Sequence, residues 1–149
     1  MQYFLGKINF VRKFISDFAQ IVRPLQRMLK KNVVFKWNMP EKEAFEKIKK
    51  AIAKAPSLQS PDFSRGFILY TFASDSSLAD VLTQKDGNND EWPISFMSTG
   101  LQGAELNYPE IKKQAYAVYK AVKHFRPYIL KNHVTVFVPH PSICSLFVQ

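Results

Sequence analysis

His140 and Cys144 stand four residues apart, a spacing that puts an imidazole and a thiol on one face of a helix, and that donor pair is zinc-ligand chemistry. Two ligands do not close a tetrahedral site, and no Cys-x-x-Cys pair accompanies them. The pair therefore reads as a surface histidine and a buried thiol. His124 and His133 fall at the end of a basic helical pattern and just before a strand-like run, and read as a helix-terminus group and a loop residue. The sequence has no glycine-rich phosphate loop, no Gly-x-Ser-x-Gly elbow and no paired catalytic carboxylates. The run best suited to carry a site is Phe67 to Ala73, apolar on both faces apart from Thr71, as a fully buried central strand would be. Its penultimate residue is Phe72, which cannot ionise.

The elements that would position these groups are bounded by composition. A chain of 149 residues with 46% apolar content holds one ordinary domain, or a small domain with a helical appendage, and has enough apolar material for a core. One cysteine rules out an internal disulfide and fits a reducing compartment, so an intracellular location, cytoplasm or nucleus, is expected. Lys7, Arg12 and Lys13 interrupt the first apolar stretch, so no secretory leader is visible. No run approaches the ~20 apolar residues of a membrane span, and no membrane association is expected. The net charge of +9 is uneven: residues 1–56 carry +9, residues 57–110 carry −6, and residues 111–149 carry +6 with no Asp or Glu at all. A basic block attracts polyanions, although a solvated lysine-rich helix surface has the same composition.

Along the chain, Phe4, Leu5, Ile8, Val11, Phe14, Ile15 and Phe18 recur at helical spacing, followed by Ile21, Val22, Leu25, Met28 and Leu29. Pro24 is best tolerated in a first turn, which predicts a second helix starting near Ile21 to Arg23. Asn38 with Glu41 resembles a capping box, and Ala44, Phe45, Ile48, Ala51, Ile52 and Ala55 form one apolar stripe ended by Pro56. The apolar faces of these three helices are expected to include Phe10, Phe14, Leu25, Phe45 and Ile48. Residues 57–66 read as a linker into a hairpin, Phe67 to Ala73 and Leu78 to Gln84, and Trp92 to Ser98 reads as a third strand. A loop over Gly100 to Asn107 leads to a long helix from Ile111 to Phe125, and Val134 to Val138 reads as a fourth strand parallel to the first. A helix begins near Ser142.

Three antiparallel strands, a helix and a parallel strand is the order of the ribonuclease H fold. FLGKINFVRKFISDF, VRPLQRMLKK, FKWNMPEKEAFEKIKKAIAKAP, SPDFSRGFILYTFASDSSLADVLTQ, AELNYPEIKKQAYAVYKAVKHFRPYIL and HVTVFVPHPSI resemble, in order and spacing, the thumb, connection and RNase H-like portion of Pol from Ty3/Gypsy LTR retrotransposons, most like plant elements. The resemblance implies an α+β chain. Residues 1–56 would be a three-helix thumb-like segment, and residues 57–149 an RNase H-like mixed sheet that is C-terminally incomplete and lacks the usual neighbour beside its fourth strand.

The chemistry implied by that family is two-metal phosphodiester hydrolysis, in which clustered carboxylates hold divalent cations. Carried over by position, it fails three times. The strand motif Thr-Asp-Ala-Ser stands as Thr71-Phe72-Ala73-Ser74, so the first ligand position is Phe72. The helix glutamate position is Gln114, and the aspartate after the fourth strand is Pro139. Asp75 matches a non-catalytic acidic residue of the family turn, and Asp80 replaces a small residue in the second strand. These two cannot assemble a two-metal cage alone. Phe72 would instead serve the core, where full burial contributes roughly 1.5 to 3 kcal/mol. No metal and no cofactor are expected.

Two functions follow. One is an inactive RNase H-like module serving as a structural or protein-interaction scaffold, either as a connection region or as a fragment captured by a host. Val134, Val136, Val138, Ile143, Leu146 and Phe147 are then the interface candidates, for self-association or for a protein partner. The other is a nucleic-acid-binding thumb fragment that grips a duplex or RNA–DNA hybrid through Lys7, Arg12, Lys13, Arg23, Arg27, Lys30 and Lys31. Active ribonuclease H is the reading these residues support least.

Overall fold

A computed structural model describes residues 2–12, 15, 17–31, 33–54 and 58–147; the side chains of Tyr3, Lys7, Phe10, Val11, Leu146 and Phe147 lie outside that description, as do Lys13 and Phe14. The N-terminal part holds α1 (Gln2–Val11), α2 (Phe18–Arg27) and α3 (Met39–Ala53). The expected start of the second helix is corrected: Asp17 adopts φ 53°, reversing the chain, and its carbonyl accepts from the Gln20 and Ile21 N–H groups at 3.0 and 3.1 Å. Pro24 therefore sits in the helix interior rather than in its first turn. The disruption is tolerated because Phe18, Val22 and Leu25 are buried on one side of the proline, in a cluster with Ile8, Ile15, Ala44 and Ile48. Phe45 is only half-buried, with its ring 5.3 Å from Phe4 and 5.9 Å from Trp37. The start of α3 is fixed by Glu41, whose carboxylate accepts from the Asn38 N–H at 3.0 Å.

The rest is a four-stranded mixed sheet with β1 (Phe67–Ala73), β2 (Ser77–Lys85), β3 (Glu91–Gly100) and β4 (Val134–Phe137), in the order β3-β2-β1-β4. β1 and β2 form the expected hairpin, closed by Ser74, whose hydroxyl accepts from the Ser77 N–H at 3.0 Å. β3 continues the antiparallel run past an irregularity between Leu82 and Thr83, and β4 pairs with β1 in parallel from Phe67↔Val134 to Tyr70↔Phe137. The crossover between β1–β3 and β4 is α4 (Glu110–Ile129), entered through a 3-10 turn at Gly103–Asn107 where a plain loop was expected. A second 3-10 turn, Pro141–Ile143, leads into the short α5 (Cys144–Phe147).

α4 covers one face of the sheet, with Ala117, Ala121 and Phe125 buried against Phe67, Leu69, Ala73, Leu78 and Leu82. One-sided cover gives β1 a period-two burial pattern, and this corrects the reading of β1 as buried on both faces. Phe67, Leu69, Thr71 and Ala73 point inward, whereas Tyr70, Phe72 and Phe137 lie on the open face, Tyr70 stacked on Phe137 at 5.0 Å. The 58–66 segment is held to the sheet. The Gln84 side chain accepts from the Asp62 N–H at 2.9 Å and donates to the Asp62 and Arg65 carbonyls at 2.8 and 3.2 Å. The helical part meets β3 at a bond from the Ala19 N–H to the Ser98 hydroxyl, 3.0 Å.

Candidate functional site

The three positions matched by the resemblance lie near the C-terminal ends of the parallel strands, where β1 outruns β4: Phe72 close to the end of β1, Pro139 two residues past β4, and Gln114 on α4, bonded to Ala73. Pairing with β4 stops at Tyr70↔Phe137, so the backbone of Ala73 has no strand partner on that side. Gln114, in the second turn of α4 and 4% exposed, supplies one: the Ala73 N–H donates to Oε1 and Nε2 donates to the Ala73 carbonyl, both at 2.8 Å. The side-chain amide thus replaces a strand neighbour. This requires a group that both donates and accepts, and a carboxylate can only accept when ionised. Phe72, the adjacent residue, is 53% exposed, so its expected burial is overturned: its side chain lies on the face of β1 turned away from α4. Pro139 and His140 are exposed beyond the end of β4, and Thr71 Oγ1 reaches back to the Phe137 carbonyl at 3.4 Å.

Two ionisable groups here have surroundings that the sequence did not reveal. Lys113 is buried, with Nζ donating to the Asp75 carbonyl at 2.9 Å, which puts a cation beside the turn that follows β1. Lysine next to an interior helix position carries no signal of burial in sequence. Asp80, opposite Thr71 and Met97 in the sheet, is 4% exposed, and among the described residues neither of its carboxylate oxygens has a hydrogen-bond partner. Burial pushes its pKa up to about 8, and the Phe72 N–H, which would favour the charged form, does not reach hydrogen-bond geometry. Burial thus favours the protonated form of Asp80. Its position between Leu78 and Leu82 in a period-two strand was the available clue. Among the described residues no three His, Cys, Asp or Glu side chains come together as a metal set.

The other candidates separate. Arg23, Arg27 and Lys30 line one cleft of about 540 Å³ between α2 and the turns around Ser76, Ser77 and Gly103. Arg12 lines a different cleft with Asn9, His124 and Tyr128, where burial first, and then the Arg12 charge, lower the pKa of His124. Lys31 is exposed and outside both, and Lys7 and Lys13 lie outside the described side chains. Val134, Val136, Val138 and Ile143 meet along one groove of about 890 Å³, with Leu146 and Phe147 outside the description. His140 and Cys144 form no pair: the His140 ring accepts from the Ser142 N–H at 3.2 Å. Cys144 is exposed rather than buried, because the turn at Pro141–Ile143 places Ile143 inward instead.

Residues 37–136 match the RNase H-like domain found in reverse transcriptase. The chain is similar to the Transposon Tf2-3 and Tf2-4 polyproteins of Schizosaccharomyces pombe, 37% identical to each over 129 residues, 87% of this chain. It spans about a tenth of the length of those relatives. Among solved structures it is similar to foamy viral protease-reverse transcriptase in complex with dsDNA, with TM-score 0.83, 23% identity, and cover of 99% of this chain and 31% of that one. The same viral protein in complex with an RNA/DNA hybrid gives TM-score 0.80 at 23% identity, covering 97% of this chain and 20% of that one. The family match, the transposon relatives and the shared fold agree with the retrotransposon motifs, and the chain belongs to the RNase H-like domains found in reverse transcriptase.

Proposed function

We propose that this chain is a catalytically inactive, retrotransposon-derived RNase H-like module, working as a structural or protein-interaction scaffold. The observation that carries the reading is the amide of Gln114 closed on both polar groups of Ala73. A two-metal site needs carboxylates that converge on cations. Here the helix position spends its polar atoms on the backbone, its neighbour Phe72 is apolar, and Lys113 adds a positive charge at the Asp75 carbonyl. Incubation of the pure protein with a labelled RNA–DNA hybrid and Mg²⁺ or Mn²⁺ tests it. The expected result is an intact RNA strand, and metal-dependent cleavage lost on mutating Asp75 would overturn the reading.

A second reading, nucleic-acid binding through the helical part, is favoured by the gathering of Arg23, Arg27 and Lys30 along a polar cleft. The viral structures similar in fold are complexes with dsDNA and with an RNA/DNA hybrid, which fits this reading. Steeply salt-dependent binding to a duplex supports it, and its absence returns the whole weight to the scaffold.

A further inference from the structure

The cleft between α2 and the turns of the sheet has two built walls. Arg23, Arg27 and Lys30 line one of them, and Ser76, Gly100 and Gln102 belong to the other, around a volume of about 540 Å³. Phe18, Val22 and Leu25 hold α2 in the helical cluster and leave Ala19, Arg23 and Arg27 to the cleft. The facing turns are fixed by the Leu101 N–H on the Ser76 carbonyl at 2.9 Å, and the Ala19 N–H on the Ser98 hydroxyl, at 3.0 Å, ties the two walls together. Among the described residues none of the three cations makes an ion pair, and no Asp or Glu lines the cleft. Arg23 is half-buried, and a cation partly withdrawn from water without a partner favours an anion beside it.

We infer that this cleft takes the sugar-phosphate backbone of single-stranded nucleic acid, a proposal that rests on the nucleic-acid reading and narrows its ligand to one strand. The three cations stand at i, i+4 and i+7 and so span about 10.5 Å of α2 at 1.5 Å per residue. Successive phosphates of one strand rise about 3.4 Å, so the span covers about three phosphate steps. A duplex is wider than its own ~12 Å major groove, and a space of this volume between two fixed walls leaves it only the rim. Gln20, Gln26 and Gln102 add neutral amides that donate to phosphate oxygens. No aromatic side chain lines the cleft, so the bases find no stacking platform and recognition is of backbone, indifferent to sequence.

Fluorescence anisotropy with a labelled twelve-residue oligothymidylate and with a twelve-base-pair duplex tests it. The single strand is expected to bind at least threefold tighter than the duplex, its log affinity falling against log salt with a slope of about 2, from three contacts at about 0.7 each. Arg23→Glu with Arg27→Glu should weaken the single strand at least tenfold, and Lys31→Glu, outside the cleft, less than threefold. A Cβ at Gly100 would meet nothing within 4 Å, so Gly100→Phe occupies the cleft without changing its charge. That variant should weaken the single strand at least tenfold and leave the duplex within twofold, with the circular dichroism spectrum unchanged. Duplex binding as tight as single-strand binding, or single-strand binding indifferent to Gly100→Phe, overturns the proposal and leaves the nucleic-acid reading standing. Displacement of the strand by inorganic tripolyphosphate at equal phosphate concentration also overturns it, since the ligand is then a free anion. Binding of neither probe removes the nucleic-acid reading itself, and the proposal with it.

Discussion

Gln114 closes a two-bond ring with the peptide of Ala73, from which it is separated by 41 residues, and so does for β1 what β4 is too short to do. Replacing it by glutamate leaves the Ala73 carbonyl facing an acceptor. Leaving a buried polar group unpaired costs about 1 to 3 kcal/mol, and urea denaturation of Gln114→Glu at pH 7 should show a loss in that range. Protonated glutamate can donate, and burial raises its pKa above the unfolded value of about 4.3, so the deficit should shrink as pH falls from neutral towards that value and stay level below it. A loss that is independent of pH would mean that shape, not hydrogen bonding, is what the site requires.

Asp80 should make the fold lose stability as pH rises. Its folded pKa, about 8, lies above the ordinary carboxyl value of 3.8, so between those values the folded state holds a proton that the unfolded state has released. The contribution is fully present below pH 3.8 and declines by at most about 1.4 kcal/mol per pH unit until it flattens above pH 8. Asp80→Asn should remove that slope and raise stability at pH 7. Denaturation midpoints from pH 5 to 9 that keep the same slope in the variant would show that Asp80 is not its source.

Restoring one ligand should not restore a metal site. Phe72 is half-exposed on the open face, so Phe72→Asp should fold with a stability change within about 1 kcal/mol, yet show neither hybrid cleavage nor Mg²⁺ uptake by calorimetry. Activity regained by this single change would mean that neither Gln114 nor Pro139 disables the site.

For the nucleic-acid reading, Arg23→Ala, Arg27→Ala and Lys30→Ala should each lower the slope of log affinity against log salt by about 0.9 on duplex DNA, because they share one cleft. Lys31→Ala, outside that cleft, should change it less. Equal effects from all four would indicate a diffuse electrostatic surface instead.

Periodicity made the element order, the hairpin and the parallel β4 legible, because apolar spacing in Phe67 to Ala73 and Ile111 to Phe125 reports local geometry directly. The burial of Phe72 was misread for a reason that also limits other strands: an apolar run does not say whether one face or two will be covered, and here α4 supplies cover on one side only. The start of α2 was misread because a left-handed aspartate at position 17 is permitted but not announced by sequence. The positions Phe72, Gln114 and Pro139 were matched through the resemblance of motifs, whereas the bonding of Gln114 to Ala73 could not be read from sequence, since it depends on β4 ending at Phe137.

The bonds from Gln84 to Asp62 and Arg65 also have a mechanical consequence. A stretch that looks like a hinge in sequence, with Pro61 and Gly66 in it, is welded to the middle of the β-meander. Any swing of the helices against the sheet would have to take place on the N-terminal side of that weld and to break the Ala19–Ser98 bond. Torque applied to the helical end would then load β2 through Gln84 and β3 through Ser98, not the connecting segment itself. In amide exchange, Asp62 should be as slow as its β2 neighbours although it lies in coil, and Gln84→Ala should release it.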